Sequence, residues 1–211
     1  MQYRSFGATG FKVSEIGFGC WGIGGGAYGD IDDDTAKRCL RQALEVGVTF
    51  FDTSNLYGDG HSEELIGETL AGDRDKVIIA TKGGTLPHSG FHMPQDFSAA
   101  NLREAMESSL RRLRVDYVDL YQLHSPELSV IEESDEAVEA LRALQSEGKI
   151  RAYGISARSP HDALTAIKTY DFPVVQVNFN MIDQRALQNG LFELAAKRNT
   201  ALIIRTPLVF G

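Results

Sequence analysis

The chain has 211 residues, 43% of them hydrophobic and 24% charged, with a formal net charge of −8. This is globular composition, and the absence of any basic block excludes a general binder of nucleic acid or of acidic membranes. No apolar run reaches the ~18 residues of a membrane span, and the opening MQYRSFGATG has no signal-peptide core, so a soluble cytoplasmic protein is expected. Cys20 and Cys39 lack metal-site spacing and are too few for a disulfide framework.

The elements follow in chain order without a linker or low-complexity break, which predicts one domain over 1–211. YRSF and FKVSEI, on either side of ATG, read as a hairpin. Strand-like apolar runs then recur: IGFGC (16–20), VTFFD (48–52), VIIAT (77–81), VDLYQL (118–123), IRAYGIS (150–156), VVQVNF (174–179) and ALIIRT (201–206). Continuous apolar runs mark strands buried on both faces, as in a parallel sheet. Amphipathic helices lie between them. In DDDTAKRCLRQALEVG, Ala36, Leu40, Ala43 and Leu44 share a face, with aspartates at the start and Gly47 at the stop. In SAANLREAMESSLRRL the stripe is Leu102, Ala105, Met106, Ser109, Leu110 and Leu113. SPHDALTAIKTY starts with Ser159 as cap and Pro160 in the first turn.

Strand–helix units at intervals of about 30 residues are the spacing of βαβ crossovers. Two architectures fit: a (β/α)8 barrel lacking one strand, or an open doubly wound sheet. The second calls for a glycine-rich phosphate loop opening a helix after the first strand, and GFGCWGIGGG has neither the helix nor the dinucleotide spacing. The α/β barrel is the expected fold, with its active face at the C-terminal ends of the strands.

Asp52 ends one strand run, Lys82 and His124 follow the next two, and Tyr57 lies on the loop after Asp52. An acid, an ammonium, a phenol and an imidazole on one rim make a proton-transfer site. A phenol titrates near ~10, and a neighbouring ammonium stabilises its phenolate. The rival chemical reading of Lys82 is a Schiff-base lysine, as in barrel aldolases. Each residue also has a bland reading as a strand-end turn residue, a loop aromatic or a satisfied histidine. His88 and His92 stand four apart, but in a loop with Gly90 and Pro94 and no acid cluster, so no metal site is expected. Ser62-Glu63-Glu64 reads as the cap of EELIGETL, Gly58 and Gly60 as turn glycines, and RRLR (111–114) as a solvated helix end.

FDTSNLYGDGHSE, ATKGG, DYVDLYQLHSP, GKIRAYGIS and QVNFN, in this order, resemble the aldo-keto reductases, as does the opening YRSFGATGFKVSEIGFGCWGIGG. The resemblance runs from about residue 3 to residue 211. It implies an NADP-dependent (β/α)8-barrel oxidoreductase that reduces a small aldehyde or ketone. Tyr57 is then the general acid, Asp52 and Lys82 its tuning pair, and His124 the carbonyl-side residue. The implied cofactor is NADPH, with NADH as the alternative. Ser156 and Gln176 match positions that bind the nicotinamide carboxamide, Asn178 lies beside them, and Arg205, Pro207 and Leu208 follow on the cofactor side. Trp21 and Tyr28 are placed in the substrate pocket.

Three departures stand out. Ser156 is followed by Ala157 where many members have Asn, which removes a hydrogen bond worth ~1 kcal/mol. Arg205 stands where many place a tyrosine under the nicotinamide; its guanidinium can stack there, and its charge favours the reduced ring. The chain ends at TPLVFG, just after its seventh strand, so the eighth strand and the basic segment that grips the adenosine phosphate are expected to be absent. Omission, closure by a partner chain and an inactive fragment are the explanations, with omission favoured. The expected function is carbonyl reduction, and a cofactor-binding regulatory subunit or an inactive fragment are the alternatives. The expected partner is a small carbonyl compound, with no nucleic acid and no membrane; an oligomer is compatible with the sequence.

Overall fold

The computed structural model describes residues 1–25, 29, 31–88 and 93–209. A two-stranded antiparallel hairpin, β1 (Tyr3–Ser5) and β2 (Lys12–Ser14), precedes a parallel sheet of seven strands in sequential order. These are β3 (Phe18–Gly19), β4 (Phe50–Asp52), β5 (Ile78–Gly83), β6 (Val118–His124), β7 (Ile150–Ser156), β8 (Val174–Asn178) and β9 (Ala201–Arg205). The seven strand runs of the sequence are all present. β5 runs two residues further than VIIAT, so Lys82 lies within the strand, paired with Gln122, rather than after it. Among the described residues β3 and β9 each have one strand neighbour. A cavity of about 600 Å³ is lined by both of these edge strands and by the hairpin, so the sheet curls into an incompletely closed barrel.

The helices are α1 (Asp33–Glu45), α2 (His61–Leu70), α3 (Ala99–Leu113), α4 (Ser129–Glu132), α5 (Glu136–Ser146), α6 (Pro160–Tyr170), α7 (Arg185–Gln188) and α8 (Leu191–Arg198). Local chemistry starts them where the sequence indicates. The Asp32 carboxylate accepts the Thr35 amide at the head of α1, and the Ser159 hydroxyl accepts that of Asp162 at the head of α6, where Pro160 is the first residue. The apolar stripes of α1 and α3 are buried, apart from the half-buried Leu44 and Ala105. None of the described helices is long and apolar enough to cross a membrane.

Strand pleating sorts the wall of the barrel into two faces. Phe50, Ala80, Leu120, Ala152, Val174 and Ala201, one from each of β4 to β9, form one cluster with Phe6, Phe11 and Val13 of the hairpin region. Phe51, Ile79, Tyr121, Ile155 and Val175, the residues of opposite parity, join the larger core beneath the helices. The hairpin therefore plugs the N-terminal end of an apolar barrel interior. Because side chains repeat with period 2, each strand's next inward position lies two residues further on, toward the C-terminal rim.

The segment Ser62-Glu63-Glu64 does not cap α2. The helix starts at His61 on Gly60, with no side-chain cap. Ser62 is buried instead and donates to the carbonyl of Cys20 at 2.9 Å, while Glu63 is fully buried between Thr81 (2.5 Å) and Arg112 (2.7 Å). Arg112 is thus not part of a solvated helix end: it crosses from α3 to α2. Gly58 and Gly60 do have left-handed backbones, with φ of 64° and 92°. A Cβ on Gly58 would fall 1.9 Å from the Gly24 carbonyl oxygen, and one on Gly60 2.6 Å from Arg112 Cδ, so both are fixed by contact as well as by conformation.

Arg112→Ala removes the counter-ion of a buried carboxylate, and we expect a loss of ~3–5 kcal/mol. The urea midpoint should fall accordingly, and adding Glu63→Gln should recover part of it, because an amide needs no counter-charge. An unchanged midpoint in Arg112→Ala would show that the pair does not hold α2 to α3.

Candidate active site

The polar residues that sequence reading singles out occupy the inward parity, C-terminal to the apolar ring. Asp52 is two residues beyond Phe50, Lys82 two beyond Ala80, and His124 four beyond Leu120. Ser156 stands four beyond Ala152, Gln176 two beyond Val174, and Arg205 four beyond Ala201. Parallel pairing then sets them side by side: Lys82 opposite Gln122, His124 opposite Ser156, Ser156 opposite Gln176, and Asn178 opposite Arg205.

Lys82 is fully buried, and its ammonium has three acceptors within reach. They are Asp52 Oδ1 at 2.5 Å, the Thr53 carbonyl at 2.7 Å and Tyr57 Oη at 3.2 Å. An ammonium carries three N–H groups and no lone pair. Every donor is therefore placed, and the phenol oxygen must be the accepting partner, leaving its own proton to point elsewhere. Burial pulls the Lys82 pKa down. The Asp52 carboxylate and the hydrogen bonds to Asp52 and Tyr57 outweigh that, and the net direction is upward, so the group stays cationic.

Asp52 is held from its other side. Its Oδ2 accepts from Gln122 Nε2 at 3.2 Å and from Gln176 Nε2 at 3.0 Å, and Ser156 Oγ donates to Gln176 Oε1 at 3.0 Å. Ser156, Gln176 and Gln122 are all buried. His124 meets the Tyr57 ring edge-on, with centroids 6.1 Å apart, and its Nδ1 lies 3.0 Å from Ser54 Oγ. Burial, reinforced by the positive charge of Lys82 and Arg205, drives the His124 pKa well below the ordinary histidine value. The imidazole is neutral at neutral pH, and its Nε2 has no hydrogen-bond partner among the described residues.

These groups line a cavity of about 1310 Å³ at the C-terminal rim. Asp52, Tyr57, His124, Gln176 and Arg205 form part of its wall, and Trp21, Pro207 and Leu208 also reach it. Ser156 does not line it and supports Gln176 from behind. Asn178 is likewise set back, with its Oδ1 accepting from Thr206 Oγ1 at 3.0 Å. Tyr28 lies outside the described residues, as does His92; His88 Nδ1 is 3.0 Å from the Leu86 carbonyl. Among the described residues no cluster of three His, Cys, Asp or Glu side chains has metal-binding geometry. Sequence reading missed Gln122, Ser54 and the Thr53 carbonyl. Gln122 was detectable, since it shares the face of His124 two residues earlier in DLYQLH.

The depressed His124 pKa has a consequence for stability. Between the ordinary imidazole pKa of ~6.5 and the lowered native value, the unfolded chain binds a proton that the native protein does not. The contribution of His124 to stability is therefore complete above pH ~6.5 and falls by about 1.4 kcal/mol per pH unit below it, down to the lowered native value. Denaturant titrations between pH 7 and 5 should show this slope in the wild type and a shallower one, by about one proton, in His124→Gln. Equal slopes would mean that the ring protonates freely in the fold.

A model of the aldo/keto reductase family matches residues 15–211. The aldo-keto reductase YhdN of Bacillus subtilis is 38% identical over 213 residues, which cover 100% of this chain and 63% of YhdN. The NADH-specific methylglyoxal reductase of Escherichia coli is 30% identical over 227 residues, covering 100% of this chain and 68% of that protein. Among solved structures, the holo form of aldo-keto reductase AKR11C1 from Bacillus halodurans superposes with a TM-score of 0.88 at 34% identity, over 100% of this chain and 68% of that one. The chain thus spans roughly two thirds of the length of these relatives. With the five motifs of the rim on one parallel sheet and a family match from residue 15 onward, the chain belongs to the aldo/keto reductase family.

Proposed function

We propose that the cavity reduces an aldehyde or ketone to an alcohol, with a reduced nicotinamide dinucleotide as hydride donor and Tyr57 as proton donor. The observation that carries the reading is the hydrogen bond from the buried Lys82 ammonium to Tyr57 Oη. The residues present fit such a coenzyme. Pockets for one small ligand run to ~300–1,000 Å³, and the cavity of about 1310 Å³ has room for two molecules. Gln176 lines it with a second amide N–H that no described group takes up, and Arg205 presents a planar cation. When bound, the reduced nicotinamide supplies hydride to the carbonyl carbon and is left oxidised.

The chain's own residues handle the oxygen. As the carbonyl π bond breaks, the Tyr57 phenol gives its proton to the oxygen and becomes a phenolate. Lys82, already donating to that oxygen and itself fully buried, stabilises the charge where it develops. Asp52 keeps the ammonium in place through Oδ1, while Gln122 and Gln176 fix its other oxygen. Ser54 has one hydroxyl proton. Asn55 Oδ1 at 3.2 Å and His124 Nδ1 at 3.0 Å compete for it. Given to the nearer ring nitrogen, it selects the tautomer that carries a proton on Nε2, which can donate to the substrate oxygen from the cavity wall. Proton transfer from a positioned phenol and a hydrogen bond from a neutral imidazole act together on the same atom. NADPH is the coenzyme the family resemblance implies, whereas the E. coli relative is NADH-specific. Fluorescence titrations with both discriminate between them.

Tyr57→Phe removes the proton donor and, with it, the third acceptor of the buried Lys82 ammonium. So kcat should fall by about 10²–10⁴-fold and stability by ~1–3 kcal/mol, with the coenzyme Kd unchanged. Turnover close to wild type would end the assignment, and coenzyme binding without turnover in the wild type would favour a regulatory subunit. Lys82→Met should reduce both rate and stability. It leaves the Asp52 carboxylate, whose side chain is 15% exposed, without its counter-ion. The cost should be ~3 kcal/mol, at the low end for such a change because two glutamine amides still donate to it. A melting temperature and rate matching the wild type would show that the pair is not coupled.

A further inference from the structure

The half-buried arginines Arg74, Arg112 and Arg205 differ in one respect. Arg74 meets the fully buried Asp119 at 2.8 Å, and Arg112 meets the fully buried Glu63 at 2.7 Å. Arg205, at the end of β9, has no carboxylate partner among the described residues. Its one hydrogen bond runs from Nη2 to the carbonyl of Ala157 at 3.1 Å, out of the five N–H donors a guanidinium carries. Its Nε, like that of Arg74, is buried without a partner, so the missing carboxylate is what sets it apart. The side chain lines the same cavity as Tyr57 and His124, and burial pulls its pKa downward, the direction of a cation short of compensation. Two other charged groups bear on this. Asp52, also on the wall, is taken up by Lys82, Gln122 and Gln176; Asp59 is exposed on the loop and screened by water.

A guanidinium kept in a partly desolvated cavity with most of its fork unused is a preformed receptor for a planar or tetrahedral oxyanion. We propose that Arg205 takes its counter-ion from the bound ligands: an anionic oxygen group, carboxylate or phosphate, docks on its free N–H edge. Building on the carbonyl-reductase reading, the group belongs either to an acid-bearing aldehyde or ketone or to the coenzyme. In the first case Arg205 is a specificity-determining residue that selects oxo-acids over neutral carbonyls of the same length. In the second it adds to coenzyme affinity.

The test compares 4-oxobutanoate with butanal, which differ by a terminal carboxylate, and measures coenzyme Kd alongside. If the anion is the substrate's, kcat/KM should favour 4-oxobutanoate at least tenfold. Arg205→Gln should then cut that ratio tenfold or more, and Arg205→Lys should retain part of it. If the anion is the coenzyme's, the ratio stays level and Arg205→Gln raises the coenzyme Kd tenfold or more. Should Arg205→Gln fail to fold, Arg205→Met, which keeps the stem packing, takes its place. A ratio and a Kd that both move less than twofold overturn the proposal. A thermal-shift arm needs no turnover: inorganic phosphate or succinate, against sodium chloride of equal ionic strength, should raise the Tm of the wild type and not of Arg205→Gln. If no aldehyde is reduced, the functional reading fails but this arm still decides, and the absence of any Arg205-dependent rise sinks the anion site by itself.

Discussion

The site depends on one constraint, the placement of three N–H groups on a lysine that has no water to fall back on. Lys82 is fully buried, and an unpaired ammonium there would cost far more than any hydrogen bond returns. Asp52 supplies the charge, the Thr53 carbonyl supplies a second acceptor, and the third is the phenol of Tyr57. The loop carrying Tyr57 is accordingly committed. Its backbone carbonyl accepts the Ser62 amide at 3.1 Å, Ser62 is tied to the carbonyl of Cys20, and Gly58 sits against Gly24 with no room for a Cβ. The buried Glu63–Arg112 pair then anchors the start of α2 to α3. A network of structural polar contacts thus extends from the helical layer to a single phenol oxygen.

The pleat explains why this chemistry lies at the C-terminal rim and nowhere else along the strands. The same inward face carries Phe50, Ala80, Leu120, Ala152, Val174 and Ala201 near the hairpin, and Asp52, Lys82, Gln122, Ser156, Gln176 and Arg205 further along. The apolar ring closes one end of the barrel against Phe6, Phe11 and Val13, so buried polar groups there would lack partners. At the other end they can satisfy one another across the strands, as Asp52 does with Gln122 and Gln176. A shift of one residue in the register of β5 would turn Lys82 toward the helices and bring Thr81 inward. Strand register is therefore a condition of the chemistry as much as of the fold.

That logic also separates what was legible in the sequence from what was not. Seven apolar runs, the Asp32 and Ser159 caps and the stripes of α1 and α3 can be read because they depend on local periodicity and local hydrogen bonds. Asp52, Tyr57, Lys82 and His124 can be read as a set because their residue types converge on one kind of chemistry. Gln122 and Ser54 escape notice, since a glutamine inside a strand and a serine in a turn carry no signal until their cross-strand neighbours are known. Ser62-Glu63-Glu64 misleads for a related reason. The pattern is that of a helix start, but tertiary partners 42 and 49 residues away claim Ser62 and Glu63, and the cap falls to Gly60.

Electrostatics sets the cavity apart from the molecule around it. The chain carries a formal net charge of −8, yet among the described residues the charges at least partly buried around the phenol are Lys82, Arg205 and one carboxylate, Asp52, with Asp59 out in solvent. The local balance is therefore positive. That field is visible in His124, which the two cations help to keep neutral, and it has the sign needed to stabilise a phenolate or a developing alkoxide. The same field would resist a further cation in the cavity and favour ligands that bring negative charge. The neutral imidazole, the accepting phenol oxygen and the unpaired guanidinium are thus three responses to one charge distribution. Its source is the choice, strand by strand, of which inward position at the rim is charged and which is neutral.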